Sequence, residues 1–425
     1  MKLIVEHTDE ISGSIAPAPS KFYTQYSTAI ALLAEGKSVL ESPLVVDDTR
    51  DLAKAVETLG GTTKRGKKKW SIWGNGRSLQ PSGQVVNAKK SIMSLSLLAS
   101  ISALTSRIMV ITGKKQVRNP SVPSLISSLQ KLGVDIHSAN DDDSMPFVIF
   151  QSDLKGGEIS LDEDMNPFFM PAFLLLTPFT EEETLLDLNS KIKSRFLDES
   201  LELLNKSGIE TSIEEEKLEI TPGELNPINV TPPLDIFSMV PFVTAAIITD
   251  SDLEISKTGD ARNVQEFLEL LSQIDIEIEK EESSIIISGS QEVKAAEVDL
   301  KDFPELLPYF AVLGCFADGE TEIVNAERAR QMKSDRIEAI VNELNKLGAN
   351  ISEKEDGVII EGPSELKGGK LDGYDDFTMV AALGVAGFKA EEKTIIKNRA
   401  EALRQSHPHF VTDFKDLGGN IGYET

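Results

Sequence analysis

His407 and His409 flank Pro408, and two imidazoles so placed could ligate a metal. No cysteine or third histidine lies near enough to complete a set, so both read as surface histidines. Cys315, the single cysteine, sits in an apolar helical stretch and reads as core rather than as a nucleophile. Lys64-Arg65-Gly66-Lys67-Lys68-Lys69-Trp70, with Trp73 close by, is the one dense basic run. That mixture suits contact with an anion or a nucleic acid. In so acidic a chain it reads instead as a charged hairpin between strands. Asp141-Asp142-Asp143 reads as a solvated loop, and Gly74-Asn75-Gly76 as a turn without the spacing of a dinucleotide loop. Neither a metal nor an organic cofactor is expected.

The elements that would position any chemistry belong to a long chain. Its 425 residues exceed one ordinary domain and allow two or three, with globular composition at 40% hydrophobic and 26% charged. Counting 43 basic against 69 acidic residues gives a net charge of −26, which disfavours nucleic acid and anionic membrane as partners of the whole surface. One cysteine cannot form an internal disulfide and fits a reducing, cytoplasmic setting. Met1-Lys2-Leu3-Ile4-Val5-Glu6 reads as an opening strand, not a secretory segment. The apolar stretches from Met170 to Phe179 and from Met239 to Thr249 are too short to span a bilayer.

A helix end recurs along the chain. Leu52, Val56, Leu59 and Gly60 set three apolar residues before a glycine, and the spacing returns at Leu125–Gly133, Ile340–Gly348 and Phe410–Gly418. Looser copies end at Gly208 and at Asp275, where glycine is expected. The six markers lie 73, 75, 67, 73 and 70 residues apart. Apolar residues four apart line one helix face, and the glycine supplies a left-handed cap. Alternating segments such as Val134-Asp135-Ile136 and Ala349-Asn350-Ile351 then read as strands. Leu154-Lys155-Gly156-Gly157-Glu158-Ile159 is echoed by Leu366-Lys367-Gly368-Gly369-Lys370-Leu371 and more weakly by Pro81-Ser82-Gly83-Gln84-Val85, each read as a turn between strands. Six α/β units of about 70 residues, in two groups of three, are predicted.

Particular residues carry a family likeness. Asp302-Phe303-Pro304-Glu305-Leu306-Leu307-Pro308 is followed by Phe316-Ala317-Asp318-Gly319-Glu320-Thr321, Ser334-Asp335-Arg336-Ile337 and Glu343-Leu344-Asn345-Lys346-Leu347-Gly348. Near the N-terminus stand Ala18-Pro19-Ser20-Lys21 and Asp47-Asp48-Thr49-Arg50. This order resembles the enolpyruvyl (carboxyvinyl) transferases, most of all the 5-enolpyruvylshikimate-3-phosphate synthases. The resemblance implies a two-domain inside-out α/β barrel of six βαβαββ repeats, three per domain. It places one domain at 15–227 and the other at 1–14 plus 228–425, with Pro222 to Pro233 at the second crossover and small-molecule substrates in the cleft between domains.

The family reaction joins phosphoenolpyruvate to shikimate 3-phosphate, so its site needs several cations and acid–base groups. Carried over by resemblance, Lys21 serves both substrates, Glu305 accepts the proton, Arg336 binds phosphate or carboxylate, and Asp48 and Asp335 orient groups. Other positions depart from the pattern. Tyr26, Met93, Gln116, Met332, Phe377 and Gln405 stand where the family has basic residues, Lys89 replaces a glycine, and Asn166-Pro167-Phe168 replaces Ser-Ser-Gln. The family's Asp-His-Arg reads Asp375-Asp376-Phe377. Six lost charge-assisted contacts, discounted for non-additivity, remove on the order of 5–10 kcal/mol. The chain is therefore expected to bind an altered ligand or a protein partner without efficient turnover. The competing expectation is an active carboxyvinyl transferase, with Lys89, Lys90, Lys115, Lys333 and Arg404 as neighbouring cations able to compensate.

Overall fold

The computed structural model describes residues 1–161, 165–188, 195–258 and 264–424. The chain forms two compact units, Ser20–Pro232 and Met1–Pro19 with Pro233–Thr425. Their boundaries fall at 20 and 233, each five residues beyond the expected 15 and 228. The cause is strand pairing at both crossovers. Gly13–Ile15 pairs in parallel with Leu253–Ile255 and is held in the second unit. Asn229–Val230 pairs in parallel with Val39–Leu40 and is held in the first.

Six four-stranded sheets share one topology. In the second repeat, strand Val85–Asn87 leads through helix Ile92–Ala103 to strand Met109–Thr112. Helix Pro123–Lys131 and strands Ile136–Ser138 and Phe147–Ile149 follow. The first strand runs parallel to the second, which pairs antiparallel with the last, and the third strand forms the edge. This is a βαβαββ unit. Lys2–Val5, far away in sequence, completes the sixth sheet by pairing with Thr394–Ile396 and Ile421–Glu424.

Each repeat contains two kinds of helix. Lys21–Leu33, Ile92–Ala103 and Met170–Leu176 in the first unit are almost wholly buried, as are Ile236–Ile248, Leu307–Gly314 and Phe377–Gly387 in the second. Helices such as Asp47–Thr58 and Arg336–Leu347 bury only one face. Their ends are the recurring markers: Gly60, Gly133, Gly208, Asp275, Gly348 and Gly418 all have φ between +63° and +106°. Asp275 thus takes the left-handed conformation without being glycine. A second left-handed position follows several inner strands directly, at Ser42, Lys257, Asn325 and Asn398.

Several local expectations change. His407 is buried, its Nε2 2.9 Å from Asp413 Oδ2, because the Phe242 and Phe410 rings pack around it; His409 is exposed. A short helix, Lys115–Arg118, follows strand Met109–Thr112. Leu154–Ile159 and Leu366–Leu371 lead from one sheet into the first strand of the next. Among the described residues no helix is long and apolar enough to cross a membrane.

Gly74 is not in a turn but inside strand Lys69–Asn75, pressed against the end of helix Lys21–Leu33. A Cβ there would run into the carbonyl oxygens of Ala31, Leu32 and Ala34. Gly76 has φ +57°, and a Cβ there would make only ordinary contact, the nearest atom being Glu35 Cβ at 3.6 Å. Gly74→Ala should therefore cost on the order of 3 kcal/mol or more, and Gly76→Ala only about 1–2 kcal/mol. Urea unfolding followed by circular dichroism measures both; equal losses would contradict the packing argument.

Candidate functional site

The first unit gathers polar groups at the N-termini of its helices. Ser20 caps helix Lys21–Leu33 by accepting from the Tyr23 N–H at 3.1 Å, which places Lys21 on the first turn. Lys21 Nζ lies 3.3 Å from Asp48 Oδ2, on the first turn of Asp47–Thr58. One turn beyond Lys21, the buried Gln25 amide donates to Ser91 Oγ at 3.2 Å and Ser94 Oγ at 2.9 Å. Ser91 caps Ile92–Ala103, so this bond ties the starts of two buried helices together.

The same end of the unit carries a cluster of cations. Lys89 and Lys90 follow strand Val85–Asn87, while Lys114, Lys115 and Arg118 follow its parallel neighbour Met109–Thr112. The Lys114 N–H donates to the Lys89 carbonyl at 2.7 Å, locking the two exits side by side. Lys89 itself has φ +57°, with its N–H bonded to Asn87 Oδ1. None of these five cations has an ion-pair partner among the described residues. The carboxyl ends of parallel strands are where α/β folds commonly bind ligands.

The departed positions behave differently. Tyr26 is wholly buried, and burial pushes its hydroxyl well above the ordinary tyrosine range. Met93 is also buried, whereas Gln116 is exposed. Tyr26 stacks on Phe22 at 5.5 Å; Phe22 meets Phe196 edge-on at 4.9 Å, and Phe196 lies 4.9 Å from Phe168. Phe168 is exposed. An aromatic ladder thus runs from the core to the surface through two of the departed positions.

In the second unit, Glu305 is half-buried in the turn Pro304–Leu306, just before buried helix Leu307–Gly314. Asp335 caps Arg336–Leu347 through the Glu338 N–H at 3.1 Å and pairs with Arg330 at 3.0 Å. Arg336 is buried. Its Nε and Nη2 donate to Asp376 at 2.8 and 3.0 Å, while Nη1 approaches Met332 Sδ at 3.1 Å. Asp376 also accepts from Ser334 Oγ and the Thr378 N–H, capping Phe377–Gly387. Burial alone would raise the Asp376 pKa, but the charge and hydrogen bonds of Arg336 outweigh it and hold the carboxyl below its ordinary range.

Lys21 and Asp48 therefore meet in one unit, and Glu305 acts electrostatically on Arg336 beside Asp335 in the other. Asp376, now seen as the partner of Arg336, could have been found as an aspartate before the apolar run 377–388, a helix-start signal. Because it is the cap, the Asp-His-Arg motif can also be set one residue later, on Asp376-Phe377-Thr378; neither register supplies the arginine. Of the flanking cations, Lys333 Nζ bonds Gln405 Oε1 at 2.9 Å and so returns a charge beside a departed lysine position. Arg404 instead lies over the Tyr423 ring at 5.0 Å. Burial pushes the Cys315 thiol up to about 12, leaving no thiolate for chemistry.

Removing one member of a buried ion pair leaves an uncompensated charge. Asp376→Asn should destabilise the protein by about 3–5 kcal/mol at pH 7. The depressed native pKa of Asp376 adds stability that is present above its unfolded value near 4 and is lost as pH falls through the native value. Urea titrations between pH 7 and pH 3 should show the variant lacking that share of the acid dependence. Parallel profiles for both proteins would contradict it.

The EPSP synthase (3-phosphoshikimate 1-carboxyvinyltransferase) family matches residues 5–414. The chain is 33% identical to a 3-phosphoshikimate 1-carboxyvinyltransferase of Methanococcus aeolicus over 434 aligned positions, 99% of each chain. It is also 33% identical to the Methanocaldococcus jannaschii protein of that name, again over 99% of each. An EPSP synthase structure from Acinetobacter baumannii superposes with a TM-score of 0.88, covering 100% of both chains at 21% identity, and supports the α/β fold. With its family match covering nearly the full length, the chain belongs to the EPSP synthase family.

Proposed function

We propose that this chain binds an anionic group through the lysine-rich strand exits of its first unit but accepts a second ligand less anionic than shikimate 3-phosphate. Efficient 3-phosphoshikimate 1-carboxyvinyl transfer is then absent. The observation that carries this reading is the burial of Tyr26 and Met93, which stand where the resemblance places arginines. Both are committed to the apolar core, and neither side chain can supply charge from that position. Phe168 supports it further: it belongs to an aromatic ladder and stands where the resemblance implies a contact to the shikimate phosphate.

The lysines do not simply restore the lost arginines. A guanidinium binds phosphate or carboxylate through two parallel hydrogen bonds, whereas an ammonium acts as a mobile point charge. Lys89, Lys90, Lys114, Lys115 and Arg118 can attract one anion. Within the first unit, Lys21 and Asp48 would orient what binds; within the second, Glu305 would serve as proton acceptor beside Asp335, with Arg336 already engaged by Asp376.

The second reading is an active 3-phosphoshikimate 1-carboxyvinyltransferase. It is favoured by the names of the full-length relatives and by Lys333 lying beside Gln405. Steady-state phosphate release from phosphoenolpyruvate plus shikimate 3-phosphate, with Lys21→Met as control, separates the two. The first reading expects no turnover and no millimolar binding of shikimate 3-phosphate by calorimetry. Turnover on the order of 1–1000 per second, abolished in the control, would establish the second.

A further inference from the structure

Six large apolar side chains are exposed among the described residues: Met1, Trp73, Val85, Ile108, Phe168 and Ile213. Five of them lie on a strand, just before one, or at the start of the chain. Phe168 is the exception. It lies in the turn Pro167–Phe169, which leads directly into the buried helix Met170–Leu176. Its N–H donates to Asn166 Oδ1 at 3.0 Å, which fixes the turn. Phe168 is 39% exposed, while its neighbour Phe169 is buried.

Two links join the starts of the three buried helices of the first unit. The Gln25 amide, bonded to Ser91 and Ser94, ties Lys21–Leu33 to Ile92–Ala103. Aromatic rings tie Lys21–Leu33 to Met170–Leu176. Phe22, on the first turn of one, meets Phe196 at 4.9 Å, and Phe196 meets Phe168, just before the other, again at 4.9 Å. The side chains at these starts differ in kind. Lys21 opens the first helix, Lys89 and Lys90 precede the second, and Phe168 precedes the third. This end of the unit is therefore cationic at two helix starts and apolar at the third.

The apolar start selects by chemistry. Phe168, Phe196 and Phe22 present carbon only, so a hydroxyl or phosphate lying against them gains no hydrogen bond for the water it loses. A flat apolar ring loses nothing there and gains contact with an aromatic face. Lys21 sets a second limit. Its ammonium is already 3.3 Å from Asp48 Oδ2, so its charge is shared with one carboxylate before any ligand arrives. Such a cation suits a single carboxylate better than a doubly charged phosphate.

We propose that the second ligand of this site is a planar apolar ring bearing one carboxylate, an arylcarboxylic acid, with its ring against Phe168 and its carboxylate toward Lys21. The inference rests on the proposed reading that this ligand is less anionic than shikimate 3-phosphate, and adds the chemistry of its ring. Phe168 determines specificity in this arrangement, and Lys21 supplies the charge.

Benzoate and shikimate are matched probes. Each is a six-membered ring with one carboxylate on an unsaturated carbon, but shikimate is puckered and carries three hydroxyls. Calorimetric titration of the full chain with each should show benzoate binding tighter by on the order of tenfold. Phe168→Ala should erase that preference by weakening benzoate alone. Phe168→Tyr should keep it, a rescue that a folding defect in the alanine variant would not explain. Lys21→Met should weaken both acids alike. Shikimate binding as tightly as benzoate, an alanine variant with the preference intact, or no saturable binding of benzoate up to 20 mM would overturn the inference and leave the proposed function standing. Turnover of phosphoenolpyruvate with shikimate 3-phosphate would overturn the proposed function itself, and this inference with it.

Discussion

Six helices buried on nearly every side set the terms for everything else in this molecule. The interiors of Lys21–Leu33, Ile92–Ala103 and Phe377–Gly387 consist of side chains packed against sheets and other helices. A cation in such a position would lose its hydration without gaining a partner. Charged side chains are accordingly found at helix N-termini and strand exits, as with Lys21, Asp48, Lys89, Glu305 and Arg336. Tyr26, one turn inside its helix, belongs to the packed part of this arrangement.

The buried pair of Arg336 and Asp376 obeys the same rule. Arg336 begins one helix and Asp376 caps another, so each charge is fixed by a helix end as well as by its partner. Asp376 receives two bonds from the guanidinium, one from Ser334 and one from the Thr378 N–H. Such a pair holds its geometry well but leaves less of the guanidinium for a ligand. The lysines at 89, 90, 114 and 115 are the reverse: exposed or half-buried, not ion-paired, and set by backbone rather than by side-chain contacts. The two units thus hold their positive charge in different states.

Much of the fold was legible because the helix-ending markers combine two independent signals, apolar spacing and a left-handed residue. Asp275 could be placed by spacing even without glycine, and its φ of +63° agrees. The left-handed exits at Ser42, Lys257, Asn325 and Asn398 were not legible, since side chains of such different character announce no common backbone. Within the candidate site, Lys21, Glu305, Asp335 and Arg336 stand out through their neighbours in the chain. The partnership of Arg336 with Asp376 does not, because it joins residues 40 positions apart across two helix starts. Composition also misled on His407, whose burial depends on Phe242 from another repeat as well as on its near neighbour Phe410.

Strand exits combine a fixed backbone with a variable side chain. Lys89 has a left-handed φ that glycine adopts more easily, and the Asn87 side chain caps its N–H to stabilise the bend. With glycine at such a position, a ligand can approach the backbone closely. With lysine, the same bend carries a long charged side chain beside Lys114, whose N–H bonds the Lys89 carbonyl. Lysine at such a bend alters reach and charge relative to glycine without altering the path of the chain, because φ is set by the turn. A side chain at such an exit can therefore vary while the buried helices hold an architecture shared with a solved EPSP synthase.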